Sequence, residues 1–404
     1  MPESDRDTPG KFISFPIITL NTQSDTTETP AFAWVSPYAA DDQRGGWKSM
    51  QFHLLRALEA RLGSALRIES VDVPEEQWGK WLSRVQKKLW IPRPYTYYSE
   101  SRLSAFAAVV GSKLPVNHLL PVVFFGALPF VKCRPLQPYY IYTDGAFFIH
   151  YWEYNADHSH RRSDVERICR MEAEFMRGSA GVWCSSQWVA DRITKEYHLA
   201  EGLARQVGTG PGSVPPPVEP IRHENFLLMI AGDFERKGGR LAVDSVAAAR
   251  KAGADVNLKF IGAKPPEEVL GLPFVEWCGW LNPQKEPDRT RFAEILSRAG
   301  TQILLSRSDL TPLVIPEAAS YSKATLATAV GGIPEMIQPG KTGWLTASKN
   351  DPEVIGRQIA DIFKTPNLVA ETGARAKDHC ARHWSWEAVG GVCTSNMNNE
   401  TTRA

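Results

Sequence analysis

Ser306-Arg307-Ser308-Asp309-Leu310-Thr311-Pro312-Leu313-Val314-Ile315-Pro316-Glu317-Ala318, with Gly331-Gly332-Ile333-Pro334-Glu335 beyond it, is the stretch whose reading decides the fold. The apolar run Ile303-Leu304-Leu305 before it has the pattern of a buried parallel strand. Ala318-Ala319-Ser320-Tyr321 after it continues as a helix, so the segment is a strand-to-helix junction. Pro316 would lose a hydrogen bond and crowd the preceding turn anywhere beyond the first helical turn, which sets the helix start near Leu313 or later. Asp309 and Glu317 therefore stand eight positions apart across the junction, with the first free amides of the helix between them. Such amides favour an anion, and carboxylates accept hydrogen bonds from hydroxyls. Phosphate-binding amides flanked by two hydroxyl-binding carboxylates suit a nucleoside diphosphate joined to a sugar. An ordinary β-α turn with surface acids would carry the same letters.

A second loop supplies cations. Gly232-Asp233-Phe234-Glu235-Arg236-Lys237-Gly238-Gly239 follows the strand Phe226-Leu227-Leu228-Met229-Ile230 and opens a helix over 239–252. Clustered positive charge beside positively polarised amides makes sense where an anion belongs. The alternative is a solvated charged turn.

Outward from these two loops the chain repeats one theme of apolar strand, glycine-rich or charged loop, and amphipathic helix. Ala31–Ser36 reads as a strand, the loop from Pro37 to Gly46 follows, and a helix runs from Trp47 to about Leu62. Its Met50, Leu54, Leu55 and Leu58 recur at helical spacing. Residues 64–115 alternate less clearly and read as mixed. Val122–Phe125, Tyr139–Tyr142 and Gly181–Ser185 are strand-like, and Ser163–Arg177 and Gln187 to about Tyr197 are helical. Gly208 to Pro220, with Pro215-Pro216-Pro217, has the strongest linker composition. Past it the alternation restarts, adding the strand Val256–Ile261. The expected organisation is a loosely ordered segment at 1–30, one α/β domain at 31–215, a second at 216–383, and a helical tail at 384–404. Two α/β units joined by a Pro/Gly hinge predict an α/β fold of two facing Rossmann-like domains with a cleft between them.

Composition excludes several classes. The 404 residues are 43% hydrophobic and 23% charged, ordinary for a globular protein. A formal net charge of +1 does not mark the chain as a nucleic-acid binder, which needs a concentrated basic face, so no nucleic-acid partner is expected. The six cysteines lack Cys-x-x-Cys spacing, which argues against a zinc site or disulfide framework and fits a reducing cytoplasm. Met1–Gly10 is acidic and polar, unlike a secretory signal. Leu119–Val131 is too short and too proline-rich to span a bilayer. The expected location is the cytoplasm, with peripheral contact to the inner face of a membrane as one option. Trp78, Trp81, Lys87, Lys88, Leu89 and Trp90 form the basic aromatic stretch behind that option, and a half-buried helix with a solvated face is the other reading.

The Asp309–Glu317 segment and its Gly-Gly-Ile-Pro-Glu turn resemble the donor-site signature of retaining GT-B glycosyltransferases, in particular glycosyltransferase family 4. By position, the resemblance implies that Glu317 holds the ribose hydroxyls, Asp309 contacts hydroxyls of the transferred sugar, and the backbone of Leu313 and Val314 faces the diphosphate. Lys237, with Arg236, would neutralise the departing diphosphate. This chain departs from the family in carrying Asp rather than Glu at 309, Pro312 where glycine is common, and Asp233 where an arginine usually stands. Phe274-Val275-Glu276-Trp277-Cys278-Gly279-Trp280-Leu281 resembles the segment whose backbone, at Gly279, reads the base. Gly45-Gly46-Trp47 sits where the family's glycine loop approaches the transferred sugar, although two glycines are equally a plain turn. Asp144, after Tyr142-Thr143, would orient the donor sugar or stabilise its positive charge; a carboxylate capping the next turn is the alternative. His150 reads as structural. His383–Val389 resembles the helix that crosses back onto the first domain.

What the resemblance implies overall is transfer of a hexose from a nucleotide-diphosphate sugar, with retention of configuration, to a saccharide, lipid-linked or small-molecule acceptor. It implies no cofactor and no metal, the nucleotide sugar being a co-substrate. A noncatalytic sugar- or nucleotide-binding relative and a sugar-nucleotide epimerase of similar twin-domain form remain as rivals. A dinucleotide oxidoreductase is disfavoured, because no Gly-x-Gly-x-x-Gly follows the first strand.

Overall fold

The structure is a computed structural model that describes residues 29–69, 94–116, 119–154, 158–346, 350–365 and 367–401. The expectations for residues 1–28 and for the basic aromatic stretch at 78–90 lie outside these residues. The remainder is α/β throughout and builds two six-stranded sheets. The first contains β1 (Phe32–Val35), β2 (Ala65–Ile68), β3 (Val122–Phe125), β4 (Tyr139–Thr143), β5 (Gly181–Cys184) and β6 (Ala204–Gln206). The second contains β7 (Phe226–Ala231), β8 (Asn257–Gly262), β9 (Val275–Trp277), β10 (Thr301–Leu304), β11 (Thr325–Ala327) and β12 (Gly343–Leu345). Every pairing in both is parallel, for example Ala33 opposite Val122 and Gln302 opposite Thr325.

Parallel strands covered on both faces must be apolar along their whole length. Phe-Ala-Trp-Val in β1 and Val-Val-Phe-Phe in β3 are buried at every position. Edge strands are less covered: in Ala-Leu-Arg-Ile of β2 only Ile68 is fully buried, and this contributes to the mixed pattern read over 64–115. The same stretch holds a helix, Glu100–Lys113, capped by the Ser99 hydroxyl accepting from the Arg102 amide.

Strand order fixes where loops meet. The first sheet runs β2-β1-β3-β4-β5-β6, so successive crossovers reverse direction between β1 and β3. In the second, β12-β11-β10-β7-β8-β9, the reversal falls between β7 and β10. Crossovers on opposite sides of such a point leave a crevice at the carboxyl ends of the two strands, where open α/β sheets bind ligands.

Helix α1 (Gly45–Leu62) covers one face of the first sheet through Met50, Leu54, Leu55 and Leu58. The same cluster takes in Trp386, Val389, Cys393 and Met397 from the C-terminal helix α2 (Trp386–Thr401). The chain thus returns from the second sheet to pack on the first. Gly390 lies so close to Ala57 that a Cβ would sit 3.0 Å from its methyl, and Arg61 donates to the Glu387 carbonyl at 3.1 Å. At the crossing itself the Trp386 indole N–H donates to the Pro211 carbonyl at 2.7 Å, joining the returning chain to the outgoing linker.

Candidate functional site

The crevice between β7 and β10 brings Lys237 to Asp309, with Glu317 on the adjoining helix, whereas Gly46 and Asp144 lie in the other half of the molecule and Gly279 follows β9. Gly238 takes φ +78, and a Cβ there would drive into the Leu305 carbonyl, so only glycine lets this loop lie against the end of β10. The two loops are then tied backbone to backbone, the Arg307 amide donating to the Arg236 carbonyl at 2.9 Å. That contact sets the Lys237 ammonium 2.5 Å from Oδ2 of Asp309, a carboxylate only 5% exposed. Ser306 Oγ donates to the same oxygen at 2.9 Å, which leaves Oδ1 as the oxygen available to a ligand. Arg236 donates to the Ser308 carbonyl at 3.1 Å and stands 3.5 Å from Asp233, the acid in the place where arginine was expected.

Glu317 lies on the short helix Val314–Ser320, with Leu313 as its N-cap residue. The start agrees with the constraint read from Pro316, which occupies the first turn, where its missing N–H has no intrahelical partner to lose. Leu313 and Val314 stand at the start of this helix. Glu317 accepts a hydrogen bond from the Gly212 amide at 3.1 Å. Surrounded by protein although part of its surface opens to the cleft, its carboxyl is pushed up to about 7 by burial, against the pull of the Gly212 N–H and the Lys237 charge.

The Gly-Gly-Ile-Pro-Glu turn braces this loop from behind. Gly331 has φ +54, and a Cβ on it would overlap the Asp309 carbonyl; Gly332 donates to the Leu310 carbonyl at 2.7 Å. Glu335 reaches across to the other half of the molecule. Its carboxylate accepts from the Gln187 and Trp188 amides, both at 2.7 Å, at the start of the helix Gln187–Tyr197, and from Gln206 Nε2 at 3.2 Å. A carboxylate at a helix N-terminus satisfies free amides and complements the helix dipole. Ser185 and Thr311 hydroxyls meet at 2.7 Å nearby, so the Asp309–Glu317 loop is held from both halves.

The crevice of the first sheet, between β1 and β3, opens into a cavity of about 540 Å³ lined by Tyr38, Trp47, Tyr97 and Phe125 together with Asp42 and Lys48. Asp42 bonds Arg44 at 2.8 Å and Lys48 at 2.7 Å, and both hold it well below the usual carboxylate range. Gly46 falls within the first turn of α1 rather than in a free loop, and the space where its Cβ would stand is open. Asp144 follows β4, and the turn beyond it is capped by another acid: the Phe147 amide donates to Glu172 at 2.7 Å. Asp144 stands instead 3.4 Å from His150 Nε2, with its Oδ1 buried and accepting no hydrogen bond. Burial alone would depress the His150 pKa, but Asp144, with Glu172 and Glu153, outweighs it and raises the value. Gly279 takes φ +100 at the end of β9, where its carbonyl accepts from the Gly262 amide at 2.9 Å.

Sequence reading missed three participants. Ser306, Gly212 and Tyr154, whose hydroxyl oxygen accepts the Leu310 amide at 2.8 Å, carry no local signal, because a serine, a linker glycine and a tyrosine in an aromatic run acquire meaning only from the groups they meet in the fold. Among the described residues no group of three or more His, Cys, Asp or Glu is placed to hold a metal ion. None of their helices is long and apolar enough to cross a membrane.

Comparison with known proteins adds likenesses to this geometry. Residues 225–365 match the family described as glycosyl transferases group 1. The matched residues run from the start of β7 past β12 and so take in the whole second sheet. A D-inositol 3-phosphate glycosyltransferase of Streptomyces scabiei is 33% identical over 113 residues, which is 27% of this chain and 25% of that protein. An alpha-maltose-1-phosphate synthase of Mycolicibacterium smegmatis is 31% identical over 200 residues, 43% of this chain and 50% of that protein. The chain thus spans a quarter to a half of the length of the curated relatives it matches. A solved sucrose-phosphate synthase from Thermosynechococcus elongatus superposes with a TM-score of 0.66 at 15% identity, covering 93% of this chain and 100% of that one. The architecture is the GT-B fold, expected from the sequence and present in the paired parallel sheets.

Proposed function

We propose that this protein is a retaining glycosyltransferase that moves a hexose from a nucleotide-diphosphate sugar to an acceptor bound against the first sheet. The observation that carries the reading is the meeting of Lys237 and Asp309 at the second sheet's reversal point, with Glu317 following on the adjoining helix. Glu317 holds the ribose hydroxyls, and the leading amides at Leu313 and Val314 face the diphosphate. Asp309 offers Oδ1 to a hydroxyl of the transferred sugar. Lys237 and Arg236 supply positive charge where negative charge accumulates on the departing phosphate, the preoriented electrostatics that contribute most when water is excluded. Gly279 presents backbone to the base. Asp144, at the end of β4 and beside His150, faces the oxocarbenium-like sugar from the other half and favours its positive charge. Gly46 and the aromatic cavity between β1 and β3 receive the acceptor, whose ring faces stack on aromatic side chains. The relatives' own names support the transferase reading and make phosphate-bearing polyols and sugars the acceptors to try first.

The test incubates the protein with a panel of nucleotide sugars and with sugar phosphates as acceptors, and follows the anomeric proton by NMR. A product whose anomeric configuration matches that of the donor is expected, with release of the nucleoside diphosphate. Inversion would refute the retaining chemistry. Absence of nucleotide binding by the folded protein would refute the donor site.

A further inference from the structure

We infer that Tyr154, a residue of the first half of the molecule, is a positioning residue for the donor-sugar carboxylate Asp309, so that the donor subsite is completed only when the two halves are together. This rests on the donor-site reading above, but its evidence lies in contacts of its own.

The chain leaves β4 at Thr143 and turns through Phe147–Ile149 into a wider helical turn over His150–Tyr154. Glu172 fixes the start of that turn, accepting from the Phe147 amide, and Phe147 and Tyr151 are packed with Val165 and Ile168. The turn is therefore anchored at its base and projects Tyr154 across the cleft. There the phenol oxygen accepts the Leu310 amide at 2.8 Å. With its lone pair committed to that amide, the phenol proton is free to point elsewhere, and Asp309 Oδ1 lies 3.5 Å away, longer than an ordinary hydrogen bond. Lys237 and Ser306 both hold Oδ2, so Tyr154 is the group that faces the remaining oxygen. A sugar hydroxyl seated beside this pair would accept from Tyr154 and donate to Oδ1. The Tyr154 ring also lies under the Arg236 guanidinium, 4.8 Å from ring centroid to carbon, in the arrangement of a cation–π contact. Burial and the Asp309 charge push the phenol well above its ordinary pKa, so it stays a proton donor at any working pH.

One side chain thus touches the amide after Asp309, the free carboxylate oxygen and the cation beside Lys237, all from the opposite half. Its hydroxyl and its ring divide these tasks, which makes them separable by substitution. Tyr154→Phe keeps the ring under Arg236 and removes the hydroxyl, whereas Tyr154→Leu removes both.

The test has two arms. In the first, hydrogen exchange is followed in the unliganded full-length protein at the Leu310 amide. Tyr154→Phe is expected to accelerate exchange there at least tenfold while the β7 and β8 amides keep their wild-type rates. The second arm compares affinity for nucleoside diphosphate with turnover of the nucleotide sugar. Tyr154→Phe is expected to leave the diphosphate affinity within twofold and to lower kcat about tenfold; Tyr154→Leu is expected to weaken diphosphate binding as well, through Arg236. Unchanged exchange at Leu310, or equal losses of diphosphate binding and turnover in Tyr154→Phe, would overturn the proposal. Absence of nucleotide binding by the wild-type protein would overturn the transferase reading instead, and the exchange arm would still decide the role of Tyr154.

Discussion

Glu317 sets function against stability, and Glu317→Gln should separate the two. The folded protein raises this carboxyl from 4.5 to about 7, mainly by burial. At about 1.4 kcal/mol per pH unit, carrying it ionised costs the unliganded fold ~3 kcal/mol. The sign follows from proton counts. Below pH 4.5 the group is protonated folded and unfolded and contributes nothing; between 4.5 and about 7 the folded form binds more protons, so stability falls as pH rises. Above that range the full cost is present. Glutamine keeps an oxygen for the Gly212 amide and never ionises. Urea unfolding should therefore find Glu317→Gln more stable than wild type by ~3 kcal/mol at pH 8 and by only about 1 kcal/mol at pH 5. Binding should move the opposite way: a ribose hydroxyl bonded to a neutral rather than a charged acceptor loses roughly 1.5 kcal/mol, about tenfold in Kd. Calorimetry with a nucleotide sugar is the proper assay, because each of its phosphates carries one ester and one anhydride linkage and keeps no group that titrates near neutrality. Wild-type affinity should tighten as pH rises through about 7, and the variant's should not. A variant that is no more stable at pH 8, or that binds as tightly as wild type, would refute the argument.

Two further perturbations act on the same loop. Lys237→Met strands a nearly buried carboxylate at Asp309 and should cost about 3–5 kcal/mol of stability in urea unfolding, most of it recovered in the double variant Lys237→Met/Asp309→Asn, which remains without turnover. Gly331→Ala places a methyl group into the Asp309 carbonyl at φ +54, so the loop must shift; nucleotide-sugar turnover should fall at least tenfold, with about 1–3 kcal/mol lost in thermal unfolding.

The sheets were legible because buried parallel strands leave no room for polar residues, and runs such as Val122–Phe125 and Phe226–Ile230 announce themselves. The edge strands Ala65–Ile68, Ala204–Gln206 and Gly343–Leu345 did not, since half-exposed positions dilute the pattern, nor did the three-residue β11, which is too short to show one. Asp309, Lys237 and Glu317 could be picked out because charge at the ends of apolar strands is conspicuous. What the sequence withheld was adjacency. Nothing in the letters around Gly232 says that β10, rather than β9, lies beside β7, and that order is what brings Lys237 to Asp309. Contacts between halves were less legible still. Tyr154 sits in an aromatic run that reads as packing, and the partners of Glu335 are the amides of Gln187 and Trp188, which any sequence would have.

The return of α2 to the first sheet bears on how the chain is made. As the polypeptide leaves the ribosome, the first sheet and α1 are synthesised well before Trp386, Val389, Cys393 and Met397, which share their core. Until those four side chains arrive, α1 presents an uncovered apolar flank, and the nascent first half waits unfinished through synthesis of the entire second sheet. Domains of multidomain proteins usually fold as units in the order they emerge. Here the order is broken: the half made first is sealed last, by a helix that can dock only after the half made second has brought it round.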